Sequence, residues 1–416
     1  MKTKNRDYDY IIIGSGFGGS VSALRLSEKG YKVLVVEKGK WYGVDDFAKT
    51  NWNIRKWLWI PFLRCFGIMK ISLFRHVSVI SGTGVGGGSL VYANTLPIPK
   101  PTFYSSGSWA GLKNWEIDLK PHYDTALKML GAAKNPKLFS GDFELKELAK
   151  NLNKEDQFDR TNVSIYFGKE NETVEDPYFN GDGPDRTACN FCGACMTGCR
   201  NNSKNTLDKN YLYLAQKKGA EILAEHEVKN VTPIINDGES QGYTVHLKSS
   251  TKYFKKHQVI TSNGVVFSGG VMGTVKLLLN IKKKSLPLLS NMLGHDIRTN
   301  NETLVSVSSM DSSKDLSQGI AIGSILKTDE NSHVEIVRYG KGSGFWRLFY
   351  TPYAEGKNIF IRILNMCKTF FNAPFRYLKL YLTKSWSKST IVLLFMQSVD
   401  TTISIKKSIF GGMKTM

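Results

Sequence analysis

The stretch that most restricts the fold is "YDYIIIGSGFGGSVSALRLSEKGYKVLVVEKG", residues 8–39. Its apolar run Tyr10 to Ile13 has the character of a strand buried in a parallel sheet, and Val21, Ala23, Leu24 and Leu26 are expected on the sheet-facing side of a following helix. Between them Gly14, Gly16 and Gly19 fill the pattern G-x-G-x-x-G. The first glycine permits a tight turn, the second lets main chain approach a pyrophosphate, and the third lets helix and strand pack closely. A phosphate would sit at the helix N-terminus, where free amides and the helix dipole favour negative charge. A second strand, Val33 to Val36, leads into Glu37, about 20 residues past the glycines, where a carboxylate can accept hydrogen bonds from both ribose hydroxyls. The acid disfavours a 2′-phosphate, which leaves FAD and NAD. The expected fold is α/β, with a Rossmann-type dinucleotide-binding domain.

A second glycine loop separates the two cofactors. "VSVISGTGVGGGSLVYANTLPIP", Val77 to Pro99, holds five glycines in the seven residues from Gly82 to Gly88, followed by Ser89. It resembles the first signature of the glucose-methanol-choline (GMC) family of flavoprotein oxidoreductases, and more closely its cholesterol-oxidase-like branch. The resemblance implies FAD, with Gly84, Gly86, Gly87, Gly88 and Ser89 along its pyrophosphate and isoalloxazine. "HQVITSNGVVFSGGVMGTVKLLLNIK" is similar to a later family segment and implies Gly269 and Gly270, with Gly273, near the flavin. "AEILAEHEVKNVTP" is similar to the strand whose valine, here Val228, approaches the adenine through its backbone. An asparagine contact four residues after the loop's last glycine would fall on Tyr92, and the resemblance moves it to Asn94.

The same resemblance implies an α+β substrate domain on a mainly antiparallel sheet. It implies hydride transfer to flavin from the CH–OH group of a small-molecule alcohol, a bulky apolar one such as a 3β-hydroxysterol. O2 or another electron acceptor would reoxidise the flavin. The family carries its catalytic histidine in a C-terminal block, and this chain has no histidine after His333. No catalytic residue is therefore assigned from the sequence. The alternative is a truncated or non-catalytic flavin or electron-transfer protein. An NAD-binding protein is a further alternative.

"CNFCGACMTGCR" places Cys189, Cys192, Cys195 and Cys199 in the spacing C-x2-C-x2-C-x3-C. That spacing matches a bacterial [4Fe–4S] run, although Arg200 stands where a proline is usual. Zinc ribbons separate their cysteine pairs more widely, and a metal-free loop is the third alternative. A cluster would give flavin electrons an outlet other than oxygen.

The net charge of +20 is concentrated late in the chain, with 11 Lys and Arg against 2 Asp and Glu between Ser343 and Met416. There the basic residues interleave with aromatic ones, as in "NIFIRILNMCKTFFNAPFRYLKLYLTKSW". Such a segment fits an interfacial helix on anionic lipid or a packed helix with a solvated basic face. No nucleic-acid-binding signature accompanies it. "NWNIRKWLWIPFLRCFGI", Asn51 to Ile68, is read the same way, as a membrane-contacting or pocket-lining segment. No signal peptide or membrane span is read, and four clustered plus two lone cysteines fit a reducing compartment, so a cytoplasmic, membrane-peripheral location is expected. The domain limits expected are 1–100 with 205–300 for FAD, 101–204 for an insertion carrying the cysteines, and 301–416 for a partial substrate domain.

Overall fold

The computed structural model describes residues 6–309, 311, 313–408 and 412–416, so the basic tip 1–5 and residues 409–411 lie outside the described residues. In chain order, β1 (Tyr8–Ile13), α1 (Phe17–Glu28) and β2 (Val33–Val36) form the opening unit. A hairpin, β3 (Met69–Leu73) and β4 (Ser78–Gly82), delivers the second glycine loop. α2 (Ser140–Asn151) and β5 (Phe158–Arg160) follow, then α3 (Tyr211–Lys217), β6 (Glu221–Leu223), β7 (His226–Asn236), β8 (Glu239–Ser249), β9 (His257–Phe267) and α4 (Gly270–Ile281). The remainder holds β10 (Glu302–Ser308), β11 (Ile322–Lys327), β12 (Ser332–Val337), α5 (Ile359–Asn372), α6 (Pro374–Leu382) and β13 (Thr390–Gln397).

The first sheet runs β6-β2-β1-β9-β8-β7. Its first four strands are parallel, and β9, β8 and β7 continue it antiparallel. Alternation along the strands builds two apolar layers, because successive side chains leave opposite faces. Ile12, Val33 and Val35 pack with Ala23 and Leu24 of α1 and Leu212 and Ala215 of α3, while Ile11, Leu34 and Val36 pack with Val231, Val245 and Leu247. β1 has β2 and β6 on one side and β9 on the other, so winding reverses beside it. At such a switch point a crevice opens beyond the carboxyl ends of the strands.

α1 buries Gly19, Ser20, Ala23, Leu24 and Ser27, and Val21 is 37% exposed. The expectation that Val21 faces the sheet is corrected by the helical period: 20, 23–24 and 27 recur on one face and 21 falls off it.

The second sheet is antiparallel and runs β10-β13-β12-β11-β5. Its edge strand β5 comes from residues 101–204, so that stretch is woven into the substrate-side sheet rather than standing apart. α2 fastens it further. Asp142, fully buried, pairs with fully buried Arg338 at 2.8 Å and accepts a hydrogen bond from Ser324 at 2.7 Å.

The two basic aromatic segments part ways. Residues 51–68 form one helical turn and short strands that bury Trp57, Leu58, Trp59, Cys65 and Ile68 while Trp52, Phe62 and Leu63 stay exposed, so this segment lines the core on one side and is not an interfacial helix. It packs against the second: Trp57 meets Phe345 edge-on and Trp346 at a tilt, at ring-centroid distances of 5.5 and 5.2 Å. α5 and α6 bury no residue. Among the described residues no helix is long and apolar enough to cross a membrane.

Candidate functional site: a glycine-lined cofactor cleft and a cysteine-lined cavity

The three glycines of the first turn occupy three different environments. Gly14 has φ +103°, and a methyl group there would lie 2.5 Å from the Ser268 carbonyl oxygen, where the β9–α4 turn crosses β1. At Gly19 a methyl would fall on the Gly14 carbonyl oxygen, so the third glycine is what lets α1 descend onto the strand. A methyl at Gly16 would meet nothing within 4 Å. Open space at the second glycine, at the N-terminus of α1, is the feature that lets main chain approach a phosphate.

The second loop lies across the first. Gly84, Gly86 and Gly87 have φ of +137°, +103° and +53°, and a methyl at Gly87 would come within 2.7 Å of the Gly16 Cα. Glu37, 5% exposed, braces the two loops: one carboxylate oxygen accepts from Ser15 N–H at 3.2 Å and Ser15 Oγ–H at 2.8 Å, the other from Gly39 N–H at 2.8 Å and Gly84 N–H at 3.4 Å. Its carbonyl accepts the His226 N–H at 2.9 Å, which sets the start of β7, and so Val228, beside it. Val228 itself is buried in the layer behind the sheet. Ser89 Oγ–H donates to the Gly86 carbonyl at 2.7 Å, and its oxygen accepts from Leu207 N–H at 3.0 Å.

Several polar atoms beside these loops lack partners. Asn94 is fully buried with φ +73°, and neither atom of its amide makes a hydrogen bond; Thr83 Oγ1 and Asp208 Oδ1 are likewise unpaired. Buried polar groups are nearly always satisfied, so such a group asks for a ligand. Gly270 (φ +66°) and Gly273 are as open as Gly16, and Gly269 is anchored by its N–H to Thr274 Oγ1 at 3.0 Å. Open glycines beyond the ends of β1 and β9 and an unpaired buried amide fit FAD. Asp208 was missed by sequence reasoning, since nothing in "NTLDKN" distinguishes it.

The four cysteines of residues 189–199 all line one small cavity with Lys204 and Gly319. Cys189 and Cys195 are buried, Cys199 is half-buried and Cys192 is exposed; all six cysteines are free thiols. Burial and then the facing thiols push Cys189 far above its usual value, and Cys195 up to about 11. Lys204, fully buried, is pulled down to about 7 by desolvation, against the opposing influence of Cys195 and Cys199. Its ammonium donates to the carbonyls of Cys195 at 2.9 Å, Tyr92 at 2.7 Å and Leu90 at 3.2 Å. Among the described residues, no three His, Cys, Asp or Glu converge closely enough to hold a single metal ion.

Three histidines make local contacts: His76 with Thr415 Oγ1 at 3.0 Å, His226 with the Ala224 carbonyl at 2.8 Å and His295 with Ser404 Oγ at 3.5 Å. His333 differs. It lies 3.9 Å from the buried carboxylate of Glu335, which burial and then Glu302 push up to about 7. In β12, His333, Glu335 and Val337 share one face by alternation, and their cross-strand partners are Met396, Leu394 and Val392. Val337, Leu394 and Val392 belong to the core cluster that contains Leu90 and Val91. Glu335 therefore stands on the sheet face turned toward the end of the second glycine loop. The signal in the sequence was a lone acid within the apolar alternation "SHVEIV".

A sheet with its glycine cleft at the switch point, together with an antiparallel sheet carrying a buried acid, fits a flavin-dependent oxidoreductase. The GMC oxidoreductase family model matches residues 8–286, and the chain belongs to that family. It is 42% identical to a cholesterol oxidase of Acinetobacter baumannii over 98% of this chain and 74% of that protein. It is 40% identical to a cholesterol oxidase of Mycobacterium tuberculosis over 96% of this chain and 70% of that protein. The solved structure of pyridoxine 4-oxidase from Mesorbium loti matches with a TM-score of 0.50 at 11% identity, over 98% of this chain and 75% of that one, which shows the shared fold. The chain is an FAD-dependent oxidoreductase acting on alcohols.

Proposed function

We propose that this enzyme oxidises the hydroxyl-bearing carbon of a bulky apolar alcohol of the 3β-hydroxysterol class, with Glu335 taking the hydroxyl proton. The observation that carries the reading is a buried carboxyl, held near neutrality, on the substrate-side sheet face turned toward the flavin loop. The similarity to two cholesterol oxidases over nearly the whole chain supports the substrate class, and their being oxidases favours O2 as the acceptor.

Bound FAD supplies a hydride acceptor. Gly14, Gly16 and Gly19 with Gly84 to Ser89 would hold its pyrophosphate and ring, and the Asn94 amide offers one unpaired acceptor and an unpaired NH2 beside it. The aromatic cluster of Trp57, Tyr339, Trp346 and Trp386 excludes water from that end of the sheet. Glu335, as carboxylate, withdraws the hydroxyl proton while the C–H bond yields its hydride, the coupled transfer that a base with a pKa near the working pH performs best. The test is turnover by the purified protein of a 3β-hydroxysterol against a long-chain primary alcohol. Preference for the sterol supports the substrate class, and oxidation of the straight chain alone overturns it.

An anionic membrane is the proposed source of such a substrate. α5 and α6 expose Phe360 at 80%, Leu364 at 69%, Phe371 at 74% and Phe375 at 85%, interleaved with Arg362, Lys368, Arg376 and Lys379. No acidic residue lies between 356 and 384. Apolar side chains rimmed only by cations suit a headgroup layer of negative charge. Six free thiols fit the reducing, cytoplasmic side.

A further inference from the structure

We propose that His333 carries the substrate's proton from Glu335 to solvent, so that the two side chains form a proton exit from the buried end of the site. The inference rests on the reading of Glu335 as the base, and adds a second residue that acts through it.

Three observations carry it. First, Glu335 is closed in. Its side chain is 7% exposed, and its cross-strand neighbours Ile325 and Leu394 carry nothing that titrates. A base that keeps its proton works once, so each turnover requires a path outward.

Second, such a path lies along one sheet face. Val337, Glu335 and His333 follow one another on β12 at alternate positions, from the buried core cluster toward the hairpin that joins β11 to β12. His333 Nε2 lies 3.9 Å from Glu335 Oε1, and the His333 side chain is 24% exposed, so one residue reaches both the buried acid and water. A small side-chain rotation or a single bridging water closes a separation of that size.

Third, the surroundings keep the ring ready to accept. His333 faces Lys327 of β11 and Met396 of β13, with Glu302 of β10 beyond Met396 in the same row. Lys100 stands nearby, its ammonium donating to the Glu330 carbonyl in the hairpin. Burial and then the Lys100 charge hold the imidazole below its usual value, so near neutral pH the ring is in the uncharged form that can take a proton.

The step moves no electrons. The proton taken from the hydroxyl leaves the Glu335 carboxyl for Nε2 of the neutral ring, which restores the carboxylate, and the imidazolium gives a proton up to water or buffer.

The experiment compares wild type, His333→Phe, His333→Gln and Glu335→Gln as full chains with FAD bound. The substrate is whichever of a 3β-hydroxysterol and a long-chain primary alcohol the wild type oxidises faster. Anaerobic flavin bleaching reads a single proton abstraction, and steady-state turnover in dilute buffer near neutral pH reads its repeated release. His333→Phe is expected to keep FAD, the melting temperature and the bleaching rate, while turnover falls at least about threefold and recovers as imidazole is added. His333→Gln, which stays polar but cannot shuttle, should behave the same way. Unchanged turnover in both variants, or a loss that imidazole does not restore, overturns the relay and leaves Glu335 as the base. Wild-type bleaching by Glu335→Gln, or no bleaching of the wild type by either alcohol, overturns the base reading and the relay with it.

Discussion

Two glycines in one turn answer different questions. Gly16 faces open space and has φ −72°, so Gly16→Ala should fold with an unchanged apoprotein melting temperature while FAD affinity falls at least about tenfold, because the methyl occupies the phosphate approach. Gly19→Ala should instead lower the melting temperature, since the new methyl lands on the Gly14 carbonyl. Thermal unfolding with and without FAD separates the two, and equal behaviour would refute the division of roles. Glu335 makes a third residue-scale prediction. Its carboxyl must be ionised to accept a proton and burial holds it at about 7, so kcat/KM should rise with pH through about 7. Glu335→Gln should remove that limb and about 10² to 10⁴ of the rate with FAD still bound. Stability should run the other way. The folded carboxyl holds its proton to higher pH than the unfolded one, so wild-type stability falls as pH rises from the ordinary carboxylate range through about 7. The glutamine variant should lack that slope. The glycines were legible in the sequence because each fills a fixed place in a local turn. Glu335 was not, because its role depends on which sheet face meets a loop more than 240 residues away.

At the scale of elements, α5 and α6 are amphipathic helices that bury no residue and are tied to the preceding chain at one end, where Tyr381 Oη–H donates to the Tyr350 carbonyl at 2.7 Å. Replacing Phe360, Leu364 and Phe371 with serine should abolish co-sedimentation with phosphatidylserine-containing vesicles at low salt and leave activity on detergent-dispersed alcohol intact. Equal binding by this variant would remove these helices from the membrane reading. The companion segment 51–68 carried the same pattern of basic and aromatic residues yet buries Trp57, Leu58 and Trp59, because Trp57 found Phe345 and Trp346 across the fold. Composition alone cannot say which of two such segments finds partners. α2 shows another dependence on distant chain. Asp142→Ala would strand the Arg338 guanidinium in a fully buried position, at a cost of about 3–5 kcal/mol. Chemical denaturation measures it, and a loss below about 1 kcal/mol would show that the pair is not needed.

For the whole molecule, the parallel strands and both glycine loops announced themselves, whereas the interweaving did not. β5 joins the substrate-side sheet from within a stretch read as an insertion, through a pairing with β11 that spans more than 160 residues. Three residues of strand carry no periodic signal, so only the assembled sheet reveals them. What the assembly produces is one closed arrangement: a cofactor crevice at the ends of β1, β2 and β9, an acid on β12 above it, and a cysteine cavity one lysine away. The central claim is that this arrangement draws hydride from a bulky apolar alcohol. It is tested most directly by adding a 3β-hydroxysterol to the oxidised protein without oxygen and following its visible spectrum. The account predicts that the yellow flavin absorption bleaches, faster above pH 7 than below. A flavin that binds yet stays oxidised under excess sterol would contradict it and leave a flavin protein without that alcohol chemistry.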